Sequence, residues 1–177
     1  LKPYLFLDET GQDTRGLSYW VALVAVSSDT LEAIRDELTQ IELTARKGQR
    51  WARTSRSRRQ AYLDGLIPLL GRVRGFVKAF GAGTDYVAWS AQATALAAGK
   101  LLPNDGLRVV VDGGNWSEQE QIKVALRSQG LNWKKVTGAR DEREPLLRLA
   151  DALAGYWRDR SGGEMSHQAI DAWIEVL

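Results

Sequence analysis

Residues 107 to 111 read Leu-Arg-Val-Val-Val and stop at Asp112-Gly113-Gly114. A short, nearly all-apolar run of this kind marks a strand buried on both faces, which requires a sheet with helices packed against each side. The 177 residues suffice for one domain with a substantial core. A hydrophobic content of 44% against 26% charged, with seven Trp and four Pro, is that of a globular rather than a disordered chain. The absence of Cys excludes thiol nucleophiles, disulfides and Cys-based zinc or iron-sulfur sites, and a single His167 excludes a multi-histidine metal site. Any metal must therefore bind to oxygen. No stretch approaches the roughly 20 apolar residues of a membrane span and the start does not read as a secretory signal, so a cytoplasmic protein is expected.

Two apolar runs, residues 4 to 8 and 18 to 26, read as strands joined by a loop punctuated by Gly11 and Gly16. Leu31, Ile34, Leu38 and Ile41 then recur at helical spacing, predicting a helix that runs to about residue 44. A second helical pattern from Ser57 ends at Gly71, with Pro68 bending or shortening it, and residues 73 to 80 read as a strand. A helix over 85 to 102 stops at the turn signal 103 to 106, and the buried strand follows. Ser117 caps a helix to about Ser128, and residues 133 to 137 form a strand. A strongly apolar helix spans 144 to 160, and a final helix covers 166 to 176. Antiparallel strands first and helix-separated parallel strands later predict a mixed five-stranded sheet flanked by helices. This α/β order is similar to the RNase H-like fold. The expected organisation is a single domain over 1 to 177, with a basic helical insertion around 44 to 71.

Three acids occupy related places: Asp8 ends the first strand, Asp112 ends the buried strand, and Asp151 lies within the late apolar helix. Taken singly, an Asp after a strand is most often a turn or cap residue. Asp151 is more telling, because Leu147 and Ala154 lie one turn to either side and place it on the stripe that packs against the sheet. Arg148 and Arg158 are candidate partners for it, Arg158 the better, but a shared cation is the stronger reading. Together the three acids converge on one rim of the sheet, where their repulsion costs stability unless a divalent ion is bound.

Residues 4 to 11, Tyr-Leu-Phe-Leu-Asp-Glu-Thr-Gly, resemble the opening Asp-Glu-Ser-Gly signature of the bacterial and phage family called domain of unknown function 3800. Residues 145 to 155, Pro-Leu-Leu-Arg-Leu-Ala-Asp-Ala-Leu-Ala-Gly, resemble that family's late helix, and Val109-Val110-Val111-Asp112 stands where the family has its central strand-end Asp. Thr10 replaces the family's Ser and keeps a hydroxyl. Arg148 replaces its usual Gln, either adding a phosphate contact or standing solvated. The resemblance implies an RNase H-like fold and a metal-dependent nuclease, and it nominates Asp8, Glu9, Asp112 and Asp151 as catalytic residues. Mg2+ or Mn2+ on such acids would supply an activated water and positive charge beside the phosphate, with Asp8, Asp112 and Asp151 as ligands. Glu9 carries less weight, since it points to the opposite face of an extended strand unless Thr10-Gly11 turn the chain. Glu142 and Glu144 are reserve ligands.

Between residues 46 and 59 there are seven basic residues and no acid, while the rest of the chain has five more acids than bases. Lys47, Arg50, Arg53, Arg56, Arg58 and Arg59 are candidate contacts to the phosphates of DNA or RNA, with Trp51 as a stacking surface. The bland reading of this segment is a basic loop or a contact to another subunit. Trp116 and Trp133 are expected in the core and His167 on the surface. A haloacid-dehalogenase-like phosphatase would need an Asp at the position of Thr10. An actin-like sugar kinase would need a second glycine-rich phosphate loop, of which Asp112-Gly113-Gly114 is a weak hint, and a longer chain. If the acids are structural, the alternative is a non-catalytic nucleic-acid-binding or assembly module on the same fold.

Overall fold

The computed structural model describes residues 2–11, 18–48, 50–81, 83–101 and 106–177. Gly16 and most of the turn signal at 103 to 106 lie outside them. Strands β1 (Pro3–Thr10), β2 (Tyr19–Ser27) and β3 (Val73–Phe80) pair antiparallel, and β4 (Leu107–Asp112) and β5 (Trp133–Ala139) add parallel to the other edge of β1. The sheet order is β5-β4-β1-β2-β3-β6, where β6 is Glu175–Val176. The sixth strand corrects the expected five. Instead of one helix over 166 to 176, the chain forms α6 (Gln168–Trp173) and then β6 (Glu175–Val176), which pairs parallel with β3. The pairing satisfies part of the open edge of β3, and Leu177 N–H donates to Val77 O at 2.9 Å.

Helices α1 (Leu31–Ala45), α2 (Arg56–Leu66) and α5 (Pro145–Ser161) cover one face, where Phe6, Val24, Leu38, Leu63, Leu147 and Leu153 form a common core. Helices α3 (Tyr86–Gly99) and α4 (Trp116–Ser128) cover the other, over Leu5, Leu7, Val109, Val111 and Ile122. As expected, Pro68 shortens α2, which passes into a 3-10 turn at Ile67–Leu69. Asn115, rather than Ser117, caps α4, its side chain accepting from Glu118 N–H. Among the described residues no helix is long and apolar enough to cross a membrane.

The two-residue period of the strands determines where the acids point. Leu5 and Leu7 pack toward α3 and α4 while Phe6 packs toward α5, so Asp8 continues the α5 row. Val109 and Val111 likewise face α3 and α4, which puts Asp112 on the α5 side with Asp8. Thr10 stays within β1 rather than turning. The chain turns at Gly11, whose φ of +104° and 2.2 Å approach of an added Cβ to Ser18 O admit only glycine.

Candidate active site: an acidic cleft beside an arginine groove

At the C-terminal ends of β1 and β4 a cleft of about 320 Å³ opens beneath α5 and the 3-10 turn Trp51–Arg53. Asp8, Glu9, Asp112, Asp141 and Asp151 line it, together with Arg50 and Arg158. The four sequence-nominated acids thus meet in one cavity, and a fifth joins them. Asp141 escaped notice because β5 runs two residues further than its apolar pattern suggested, to Ala139. With that boundary Asp141 lies two residues past the end of β5, close to a strand end as Asp112 is, which is the signal that finds it. Its backbone N–H donates to Asp112 Oδ1 at 3.1 Å, so the turn after β5 orients the acid at the end of β4.

Asp8 is only 8% exposed. Burial pushes its carboxyl well above the usual carboxylate range, and Asp151, Glu9 and Asp112 push it further by like-charge repulsion. The Glu9 backbone N–H, which donates to Asp8 Oδ1 at 2.7 Å, opposes this. Asp112 is also raised, first by burial and then by Asp141, against the opposing charge of Arg50. Asp151 is raised by burial and partly restored by the Trp51 N–H, which donates to its Oδ2 at 2.7 Å. Arg158, the better of the two candidate partners of Asp151, instead donates to Thr10 Oγ1 at 3.1 Å and pairs with Asp159 at 3.2 Å.

The donor set is hard oxygen only and carries more negative charge than its two arginines offset, which suits a cation such as Mg2+ or Mn2+. Among the described residues, no three Asp, Glu or His side chains stand close enough together to form a ready-made ligand set for one ion. Glu144 is committed elsewhere: it caps α5 by accepting from Leu146 N–H and pairs with Arg35. Glu142 is exposed outside the cleft.

The basic segment divides into anchored and free parts. Trp51 is a core residue, 1% exposed, and offers no stacking surface. Its indole N–H donates to Asp159 Oδ2 at 2.7 Å, and the Arg59 guanidinium lies 5.1 Å over its ring while pairing with the same carboxylate. Lys47 is buried too, 3.8 Å from Glu42 and 4.9 Å over the Tyr62 ring. Lys47, Trp51 and Arg59 therefore hold the segment in place, while Arg50, Arg53, Arg56 and Arg58 are exposed. Arg148 is neither solvated nor a free phosphate ligand, because it forms a buried pair with Glu42 at 2.7 Å.

Trp116, expected in the core, is 77% exposed at the start of α4, four residues past Asp112. Trp133 does pack against the core. His167 is more covered than expected: its Nε2 lies 2.9 Å from Asp64 Oδ1, and its Nδ1 accepts from Ile170 N–H to cap α6.

Close packing of α5 on Trp51 sets the position of the N–H that Asp151 accepts. A Cβ at Gly155 would lie 2.2 Å from Trp51 Cδ1 and 2.6 Å from Cγ, the rigid base of the ring. Ala normally favours a helix over Gly by about 1 kcal/mol. Here Gly155→Ala is expected to reverse that sign, costing about 1–3 kcal/mol as the indole is displaced. Denaturant melts of the variant check this.

The antiparallel-then-parallel sheet with helices on both faces defines the RNase H-like class of α/β protein. Ribonuclease H2 from Pyrococcus horikoshii OT3 superposes with a TM-score of 0.65 at 14% identity, over 92% of this chain and 74% of that one. A chain of the PCNA:RNase HII complex from Archaeoglobus fulgidus superposes with a TM-score of 0.58 at 18% identity, over 90% and 74%. No family model and no curated protein matches the sequence.

Proposed function

We propose that the protein is a divalent-metal-dependent nuclease that hydrolyses phosphodiester bonds at the acidic cleft. The observation that carries this reading is that five acidic residues from β1, β4, the turn after β5 and α5 line one cavity, with Asp8 buried and its charge disfavoured. Acids so placed cost folding free energy when charged and are relieved by a cation. Mg2+ or Mn2+, held by Asp8, Asp112 and Asp151, would supply charge stabilisation at the phosphate and an acidified water.

The chain's own residues have definite tasks. The Trp51 N–H orients Asp151, the Asp141 N–H orients Asp112, and Arg50 and Arg158 place positive charge on the cleft wall where a phosphate must approach. The exposed arginines between 50 and 58 suit a polyanion, and exposed Trp116 offers one face to a base. Two further likenesses support the reading. Two of the similar solved structures are named as RNase HII and ribonuclease H2, and the motifs around Asp8, Asp112 and Asp151 resemble domain of unknown function 3800.

The test is cleavage of labelled single-stranded DNA, single-stranded RNA, duplex and hybrid substrates with Mg2+ or Mn2+. Wild type is expected to cut at least one of them. EDTA is expected to abolish cutting, and Asp112→Asn to lower it by at least about 100-fold. An Asp112→Asn variant that cuts normally would move the cutting away from the acidic cleft, and a wild type that binds but never cuts would leave a non-catalytic nucleic-acid-binding module. The lack of a ready-made ligand set among the described residues favours that second reading.

A further inference from the structure

A second cavity, an open groove of about 560 Å³, lies against the acidic cleft. Sequence neighbours divide between the two cavities at two places. Ala52 lines the cleft and Arg53 the groove, while Asp141 lines the cleft and Glu142 the groove. Consecutive Cα atoms are about 3.8 Å apart, so one extended ligand can occupy both cavities.

The groove is built for an anion. Its base holds the buried Arg148–Glu42 pair with the Lys47 ammonium beside it, two cations to one acid. Above this stand Arg46, Arg53 and Arg58, all exposed and, among the described residues, without an ion-pair partner. The exposed Glu142 is the only other acid lining it.

Arg46 is also the one non-glycine residue of positive φ among those described, at 51°. It occupies the left-handed position that closes α1, with its N–H on the carbonyls of Glu42 and Leu43. Glycine is the usual and less strained occupant there. An arginine in its place gives up local stability and directs a guanidinium toward the groove. Among the described residues no aromatic ring lines the groove, so its recognition is of charge and not of a base.

We propose that the groove is a phosphate site in which Arg46, Arg53 and Arg58 hold a backbone phosphodiester of the same strand that enters the acidic cleft. The proposal rests on the nuclease reading for its substrate, and it makes that substrate a strand reaching at least one phosphate beyond the cleavage point. The path runs over the 3-10 turn at Trp51–Arg53, which the buried Trp51 holds rigid.

The test is binding of a fluorescein-labelled single-stranded oligonucleotide, read by anisotropy in EDTA across a KCl series. The combined variant Arg46→Gln, Arg53→Gln, Arg58→Gln is compared with Lys134→Gln, Lys135→Gln, which removes exposed charge from β5. The arginine variant is expected to bind at least about tenfold more weakly at low salt. Its plot of log affinity against log salt should be shallower by about 0.7, the loss of one phosphate contact on a single strand. The lysine variant should keep the wild-type slope. Oligonucleotides with a 5′-phosphate and a 5′-hydroxyl should respond alike.

Equal losses in both variants, or none in the arginine variant, would overturn the proposal. Dependence on the 5′-phosphate would overturn its backbone form in favour of a terminal-phosphate pocket. Because EDTA removes any metal requirement, unchanged binding with cleavage intact sinks the groove alone. Groove-dependent binding with no cleavage under Mg2+ or Mn2+ sinks the nuclease reading alone.

Discussion

Asp8→Asn is expected to abolish metal-dependent cleavage while making the metal-free protein more stable. In the native state burial and three neighbouring acids hold the Asp8 carboxyl above its usual range. A group whose folded pKa is raised contributes stability that is full below the unfolded value, near 3.9, and is lost as pH rises through the folded value. At neutral pH the metal-free wild type therefore carries a penalty that a neutral amide removes. The amide oxygen can still accept the Glu9 N–H that now donates to Asp8 Oδ1. A gain of about 1–2 kcal/mol is expected, or roughly 2–8 °C in melting temperature for a chain of this size. The difference between variant and wild type should vanish near pH 3 and grow as pH rises above about 4. Addition of Mg2+ or Mn2+ should raise the wild-type melting temperature and leave the variant unchanged. A destabilised variant, with a wild type insensitive to either ion, would mark Asp8 as a structural acid.

Arg148→Ala is expected to cost about 3–5 kcal/mol, because it leaves the buried Glu42 carboxylate without its main partner. The Arg148 guanidinium binds Glu42 through Nε at 2.9 and 3.0 Å and through Nη2 at 2.7 Å, while Nη1 donates to Asp141 O at 2.8 Å. It thereby ties α5 to α1 and holds the turn that carries Asp141 into the cleft. Lys47 lies 3.8 Å from Glu42, but an ammonium there cannot reproduce the planar fork. Arg148→Lys should therefore recover only part of the loss. Pairing Arg148→Gln with Glu42→Gln removes both charges together and should recover most of it. Urea melts of these variants measure the coupling directly. Purely additive effects would show that the pair does not act as a unit.

The legible part of this protein was local. Apolar runs placed β1 to β5, the 3.6-residue recurrence placed α1 and α5, and Pro68 marked the end of α2. Those patterns record which way each side chain faces, so they also put Asp8 and Asp112 on one rim of the sheet and Asp151 on the inward stripe of α5, although β1 runs two residues past Asp8, to Thr10. Element boundaries were less legible, and one of them hid a site residue: two extra residues of β5 separate an unremarkable Asp141 from a strand-end acid. β6 was missed because two residues carry no period.

What the sequence by itself determined about this chain is the order of its elements and the facing of its acids. Tertiary structure decided what each polar group meets. Trp51 reads as an exposed stacking residue in a basic run until Asp151 and Asp159, 100 and 108 positions away, accept its two N–H groups. Arg148 reads as solvated until Glu42, 106 positions away, takes its charge. The same contacts divide one basic segment into buried anchors and exposed arginines. Burial and charge compensation are set by whichever groups the sheet topology brings together across such separations, and local periodicity does not encode them.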